Sequence, residues 1–85
     1  MRIELFGIAR ARAGSEAVEV EASTLSDAFR ALAQACPDLE PEVLRDGRLT
    51  EHFLASLNGE SFVSDPERAL TRRDTLLILG AQAGG

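Results

Sequence analysis

Thr75-Leu76-Leu77-Ile78-Leu79-Gly80-Ala81-Gln82-Ala83-Gly84-Gly85 is the final stretch of the 85-residue chain. Thr75 to Leu79 is a strongly apolar strand that leads into a tail of small residues. At the other end, Arg2-Ile3-Glu4-Leu5-Phe6 alternates polar and apolar residues, the period of a half-buried strand. Both stretches are apolar, and neither is tied to the other by a hairpin turn. They are therefore candidates for a parallel pair at the centre of a sheet. The tail adds a second signal. At an average glycine usage of about 7%, glycines in both of the last two positions arise by chance about once in two hundred chains. Read alone, Gly84-Gly85 fits a frayed terminus. It equally fits a chemical handle, slim enough to thread a narrow channel and with no Cβ to hinder attack on its carboxyl group.

Between these ends the punctuation is clear. Gly7 to Ser15 reads as a loop of arginines and small residues. Ala17 to Ala22 alternates, with Val18 and Val20 on one face and Glu19 and Glu21 on the other, and forms a hairpin with the first strand. Thr24 is a helix N-cap, and Asp27 three residues later suits a capping box. Leu25, Ala28, Phe29, Leu32, Ala33 and Cys36 then recur at helical spacing until Pro37 ends the helix. Asp38 to Arg48 is an acidic connector in which Val43 and Leu44 tuck one turn against the core. Glu51 to Leu57 reads as a strand with Phe53, Ala55 and Leu57 on one face. Asn58-Gly59 is a strong hairpin signal, Glu60 to Val63 is the return strand, and Pro66 to Leu70 suits a short helical turn. The order β-β-α-β-β-β describes an α+β fold. It is a mixed sheet of about five strands on one main helix, a β-grasp arrangement. Residues 1–80 form that domain and residues 81–85 a flexible tail.

Composition narrows the function. The net charge of −5 and pI of about 4.7 argue against a nucleic-acid binder and suit a small acidic protein that docks on a basic cleft. All nine basic residues are arginine, so the amino group of Met1 is the one amine in the sequence. Any isopeptide bond made through its carboxyl terminus would need an acceptor on another protein. Cys36, the single cysteine, lies on the apolar helix stripe and reads as a core thiol. With no apolar run long enough to span a bilayer and no room for a signal peptide, the expected location is cytoplasmic, without membrane contact. No metal-ligand spacing and no phosphate-binding glycine loop is legible. His52 and the cluster Asp38, Glu40 and Glu42 read as structural or solvated. The chain has the look of a carrier on which enzymes act, not of an enzyme.

Five stretches carry a resemblance across essentially the whole chain. Leu5-Phe6-Gly7-Ile8-Ala9-Arg10-Ala11-Arg12-Ala13-Gly14 is similar to the first strand and "FAxLRExxG" loop of the molybdopterin synthase small subunit. Thr24-Leu25-Ser26-Asp27-Ala28 is similar to that family's helix start, and Cys36-Pro37-Asp38-Leu39 to its Pro-x-Leu. Leu57-Asn58-Gly59-Glu60 is similar to its "VNGE" hairpin, and Gly84-Gly85 to its reactive end. Together they resemble the MoaD/ThiS family of ubiquitin-like sulfur carriers. Two stretches depart from it: the tail lacks the usual proline, and Arg73-Asp74 stands where relatives carry Gly-Asp.

The resemblance implies a chemistry. A partner adenylyltransferase of the MoeB/ThiF type, using ATP and Mg, would activate the Gly85 carboxylate. A sulfurtransferase or other sulfur donor would convert it to a thiocarboxylate. An acceptor enzyme such as the molybdopterin synthase large subunit would take the sulfur for molybdenum cofactor biosynthesis. No cofactor is expected on this chain itself. Gly84 and Gly85 would be the reacting end. Leu77 and Leu79, outward on the last strand while Leu76 and Ile78 face the helix, would form a docking patch with Ala81, Gln82 and Ala83. Phe53 or Phe62 would join it according to the strand pairing, unless the acidic connector covers that face. Arg10 and Arg12, in the first loop, could meet an acidic patch. Three alternatives stay open: a protein modifier joined through Gly85 to lysines of targets, a carrier for tRNA thiolation, thiazole or another thio-metabolite, and a plain interaction domain.

Overall fold

The two apolar ends of the chain do pair in parallel. The structure, a computed structural model, describes residues 1–81. In it β1 (Arg2–Leu5) lies beside β7 (Thr75–Gly80), with Arg2 opposite Thr75 and Leu5 opposite Ile78. β2 (Ala17–Glu19) flanks β1 antiparallel. β5 (Phe53–Leu57) flanks β7 antiparallel, and β6 (Ser61–Val63) closes that side, so the sheet order is β2-β1-β7-β5-β6. Ile3, Leu5, Leu76 and Ile78 are fully buried and meet Leu25, Ala28, Phe29 and Leu32 of α2 (Leu25–Ala35) in one apolar cluster. This is the β-grasp fold expected from the order of the elements.

Helix α2 begins where the sequence indicates. The Asp27 backbone N–H donates to Thr24 Oγ1 at 3.1 Å, the N-cap bond. The capping box is half-formed, because the short Asp27 carboxylate instead accepts from Ser23 Oγ at 3.1 Å. At the other end the Cys36 N–H donates to the Leu32 carbonyl at 2.8 Å, and Pro37 starts a 3-10 turn over Pro37–Leu39. The Cys36 side chain is buried, as its place on the stripe requires.

Three local expectations are corrected. Gly7 to Ser15 is not a loop: Gly7–Ala13 is a short helix, α1, closed by Gly14 at φ 72° in the left-handed region. Its alanines and arginines are strong helix formers, and a glycine just past the last turn is the usual stop. The acidic connector holds more than one turn. Val43 and Leu44 are buried as expected, but Leu44–Arg45 (β3) and Arg48–Leu49 (β4) form a separate hairpin around Asp46-Gly47, both at positive φ. Pro66 to Leu70 forms no helix, only a single turn at Pro66-Glu67 in which Arg68 N–H donates to Asp65 O at 3.0 Å. Its carbonyls serve the start of α2 instead: Leu25 N–H donates to Arg68 O at 3.0 Å and Ser26 N–H to Pro66 O at 2.9 Å. These are two of the donors that a helix start leaves without partners.

One polar knot pins the hairpin to the central strand. Asn58 and Gly59 take the two positive-φ positions of the β5–β6 turn, at 58° and 71°. Asn58 then reaches across to the start of β7: its N–H donates to Thr75 O at 2.7 Å, and its Oδ1 accepts from Thr75 N–H at 2.8 Å. Its Nδ2 donates to Asp74 Oδ1 at 3.1 Å, while Asp74 Oδ2 accepts from Thr71 N–H at 2.8 Å. The hydrogen bond from Asn58, with that from the Thr71 backbone, holds the Asp74 carboxyl below its ordinary pKa.

Asn58→Ala, which loses both the left-handed tolerance and the clamp on β7, should destabilise the fold by about 1–2 kcal/mol in urea titration. Because the Asp74 pKa is lowered on folding, its contribution is complete above the ordinary carboxylate pKa of about 4 and fades as pH falls through the folded value. Stability should therefore drop below about pH 4, and Asp74→Asn should make that drop shallower. Burial, with the Asp38 charge adding to it, raises the Cys36 thiol pKa. Iodoacetamide at neutral pH should leave Cys36 unmodified in the native protein and alkylate it in denaturant, as read by intact mass.

Candidate functional site: the outer sheet face and the end of the last strand

β7 carries the chain out of the sheet from a central position, hydrogen-bonded on both sides. Phe53 stands opposite Gly80, and the ladder runs one step further, with Ala81 N–H donating to His52 O at 2.8 Å. His52 is exposed and contributes through that carbonyl, with its ring 3.8 Å from Glu51. Ala81 is exposed, while Gln82, Ala83, Gly84 and Gly85 lie outside the described residues.

Strand alternation divides the residues around this exit. Leu76 and Ile78 point into the core and are fully buried, as expected. Leu77 and Leu79 take the other face and are half-buried. Leu77 stands beside Ser56, and Ser56 beside Phe62, so these three form one row across β7, β5 and β6. Leu79 pairs with Leu54 in the next row. Phe62 is 66% exposed, more than Ile8, the other exposed large hydrophobic residue among those described. Phe6, the extended residue after β1, continues the alternation onto this face, with the Arg10 guanidinium 5.2 Å above its ring. Glu4, opposite Leu77 on β1, and Arg2 form an ion pair at 2.9 Å along the margin. The result is an apolar patch with a charged rim on the side of the sheet away from α2, a form that suits a protein partner.

The structure thus brings Leu77, Leu79 and Phe62 together. Phe53 does not join them: it is 7% exposed, on the inner face with Ala55 and Leu57, because the β5 alternation that buries one set of side chains must bury all of it. Leu54, Ser56 and Phe6 complete the patch and were missed from sequence. Once Phe53, Ala55 and Leu57 are assigned inward, the same alternation does place Leu54 and Ser56 outward. What the sequence lacks is the antiparallel pairing of β5 with β7 that sets them beside Leu77 and Leu79. The acidic connector leaves this face open, since its 3-10 turn packs against α1 and α2.

Arg10 and Arg12 are helical and engaged within the chain. Arg10 Nε donates to the Leu5 carbonyl at 2.8 Å, and Arg12 forms an ion pair with Glu42 that ties α1 to the connector. Among the described residues no group of histidine, cysteine and carboxylate side chains could hold a metal ion, and no helix is long and apolar enough to cross a membrane.

No protein-family model matches the chain, and no curated protein sequence does. Solved structures do. Small archaeal modifier protein 1 (SAMP1) from Haloferax volcanii is 33% identical, with 99% of this chain and 97% of that one aligned at a TM-score of 0.82. The modifier protein of the same name from Methanosarcina acetivorans is 21% identical over 99% of this chain and 94% of its own, at a TM-score of 0.81. The Amycolatopsis orientalis BexX/CysO complex gives a match at 22% identity, over 99% of this chain and 98% of that one, with a TM-score of 0.80. The last two bear on the fold alone, whereas the first aligns at higher identity along the whole length of both chains. With the β-grasp order, the Asn58-Gly59 hairpin and the Gly84-Gly85 sequence, it places the chain among the ubiquitin-like sulfur carriers of the MoaD/ThiS family, to which this protein belongs.

Proposed function

We propose that this protein carries sulfur as a thiocarboxylate on Gly85. The observation that supports the reading is the coincidence of two features at one end of β7. A Gly84-Gly85 sequence follows the strand, and the apolar outer face beside it suits docking of the enzymes that act on that end. A carboxylate is a poor electrophile. In a partner adenylyltransferase the Gly85 carboxylate attacks the α-phosphorus of ATP, supplied with Mg, and pyrophosphate leaves. The acyl-adenylate carbonyl is then open to attack. Sulfide displaces AMP directly to give the thiocarboxylate. A persulfide donor gives an acyl disulfide, from which a second thiol releases the thiocarboxylate and forms a disulfide. This chain supplies the carboxyl group, the slim tail and the docking face, and the sulfur stays bound to a folded handle until it meets its acceptor. The nucleotide and the metal belong to the partner.

The layout favours molybdopterin synthesis as the destination, with an enzyme equivalent to the molybdopterin synthase large subunit as acceptor. The long connector between α2 and β5 resembles the MoaD side of the family more than the shorter thiazole carriers. The modifier reading is favoured by one specific observation, the name and 33% identity of the Haloferax volcanii relative. Activation would be the same, and the acyl group would pass to an amine of a target. The lysine-free sequence would make this chain a donor, since the Met1 ammonium is held against the Val20 carbonyl at 2.7 Å.

Intact-protein mass spectrometry tests the reading. After incubation with ATP, Mg, a MoeB/ThiF-type adenylyltransferase and a sulfur donor, the protein should gain the mass of one oxygen replaced by sulfur, located on Gly85 and lost on deletion of that residue. No gain, alongside lysine-linked adducts on other proteins, would favour the modifier. Neither product would leave an interaction domain. Leu77→Arg, which puts a charge into the outer row beside Leu79, should slow adenylation by roughly tenfold or more while leaving the circular dichroism spectrum unchanged. Unaltered adenylation would remove this face from the docking site.

A further inference from the structure

A second surface lies on the opposite side of the sheet, where α2, the β3–β4 hairpin and the β5–β6 pair enclose a groove. Phe29, Phe53, Leu49 and Val63 supply its apolar lining, and Arg30 and Arg48 stand at its mouth. Asp46, on the hairpin turn, is the single acidic residue that lines it.

Three features set this groove apart in a chain of net charge −5. Arg45 and Arg48 face each other directly across β3 and β4, a like-charge pairing that weakens a hairpin. Arg30 comes to the same place from α2: its stem packs by the Asp46-Gly47 turn, its Cγ 3.6 Å from where a Cβ on Gly47 would sit, and its guanidinium donates to Ser26 Oγ at 2.9 Å. Among the described residues neither Arg30 nor Arg48 has a carboxylate oxygen within 4.0 Å, although Arg2, Arg10 and Arg12 all do. The fold therefore places two arginines that form no ion pair beside an apolar cleft, with Asp46 as the one carboxylate in its lining. Finally, β6 is an edge strand, paired to β5 on one side only, and its Val63 lines the groove.

We propose that this groove binds an extended acidic peptide segment of a partner protein. The segment would add to the free edge of β6, place apolar side chains against Phe29 and Val63, and bring carboxylates to Arg30 and Arg48. An unpaired strand edge supplies main-chain hydrogen bonds to an extended peptide, and neighbouring pockets supply the specificity. Guanidinium groups at the mouth select carboxylates, and the apolar lining disfavours a bare anion. The sheet separates this groove from the outer face of Leu77, Leu79 and Phe62. A partner held here leaves Leu77 and Leu79 uncovered, while alternate side chains of the added strand lie beside Phe62.

Fluorescence anisotropy with a labelled Asp-Asp-Ile-Glu-Val-Ile-Asp-Asp peptide tests the proposal. Saturable binding to the full chain is expected, weakened at least about tenfold by Arg30→Glu with Arg48→Glu and unchanged by Arg72→Glu, which lies away from the groove. Replacing every acidic residue of the peptide by lysine should abolish binding. Nuclear magnetic resonance titration of the unmutated protein should shift the amides of Ser61–Val63, Arg30 and Leu49, a result that does not depend on how the double variant folds. Deleting Gly84 and Gly85 should leave the affinity unchanged, so the outcome is independent of whether Gly85 carries sulfur. Absence of saturable binding overturns the proposal, as does equal binding of the lysine peptide or shifts confined to Leu77, Leu79 and Phe62. Inorganic phosphate titrating the same amides while the peptide does not would assign the groove to a small anion. Dimerisation through β6 that the peptide fails to inhibit would assign it to a second copy.

Discussion

The parallel pairing of β1 with β7 is the constraint on which the rest of the structure depends. Parallel neighbours cannot be joined by a tight turn, so everything between Leu5 and Thr75 acts as one long crossover. Ile3 and Leu5 lie against Leu76 and Ile78 with no exposure at all, and α2 covers the four of them. The pairing also makes β7 an interior strand, held by β1 on one side and β5 on the other. Ala81 consequently follows directly on an interior strand, whose position is fixed by two ladders and by the Asn58 knot at its other end.

The features visible in the sequence were those with strong local chemistry. The alternation in β1, the spacing from Leu25 to Cys36 with its Thr24 cap, and the Asn58-Gly59 turn each have a mechanism that acts within a few residues. Together they led to the β-grasp fold. What the sequence did not reveal depends on tertiary partners. The two residue pairs of the β3–β4 hairpin are too few to show alternation. The course from Pro66 to Leu70, a turn at Pro66-Glu67 and then a bridge from Ala69 to Thr24, serves the acceptors that the start of α2 needs, which no local rule contains. Helix α1 is the exception, since its alanines, arginines and closing Gly14 were a readable signal that Gly7 and the small residues obscured. At the candidate site, Leu77 and Leu79 followed from alternation along one strand. Leu54 and Ser56 required knowing which strand lies beside β7, and Phe53 could be placed only by knowing which β5 face meets the helix.

The two faces of the sheet have different chemistry. The outer face is apolar with a charged rim, and Leu77, Ser56 and Phe62 cross it in a single row. The helix side is closed by the core except where Phe29, Phe53 and Val63 border the groove beside Arg30 and Arg48. This division arises from the twofold period of the strands. Any change that shifts the β5 register by one residue would exchange Phe53, Ala55 and Leu57 for Leu54 and Ser56, and would disrupt both faces at once. The Asn58 clamp to Thr75 and Asp74 ties the β5 turn to β7 and so guards against that slip.

The hydrogen bond from Ala81 N–H to the His52 carbonyl is the last point at which the described chain is fastened to the sheet. Gly85 lies four residues further on, and a fully extended chain covers at most roughly 3.3–3.6 Å per residue, or about 14 Å in all. That bond therefore sets the reach of the residues after it. If Gly85 carries the reacting carboxyl group as proposed, its chemistry lies inside a sphere of about that radius around Ala81. An enzyme that docks on the outer face must have its reaction centre within the same sphere, and one built with a deeper active site could hold the domain and still never reach its end.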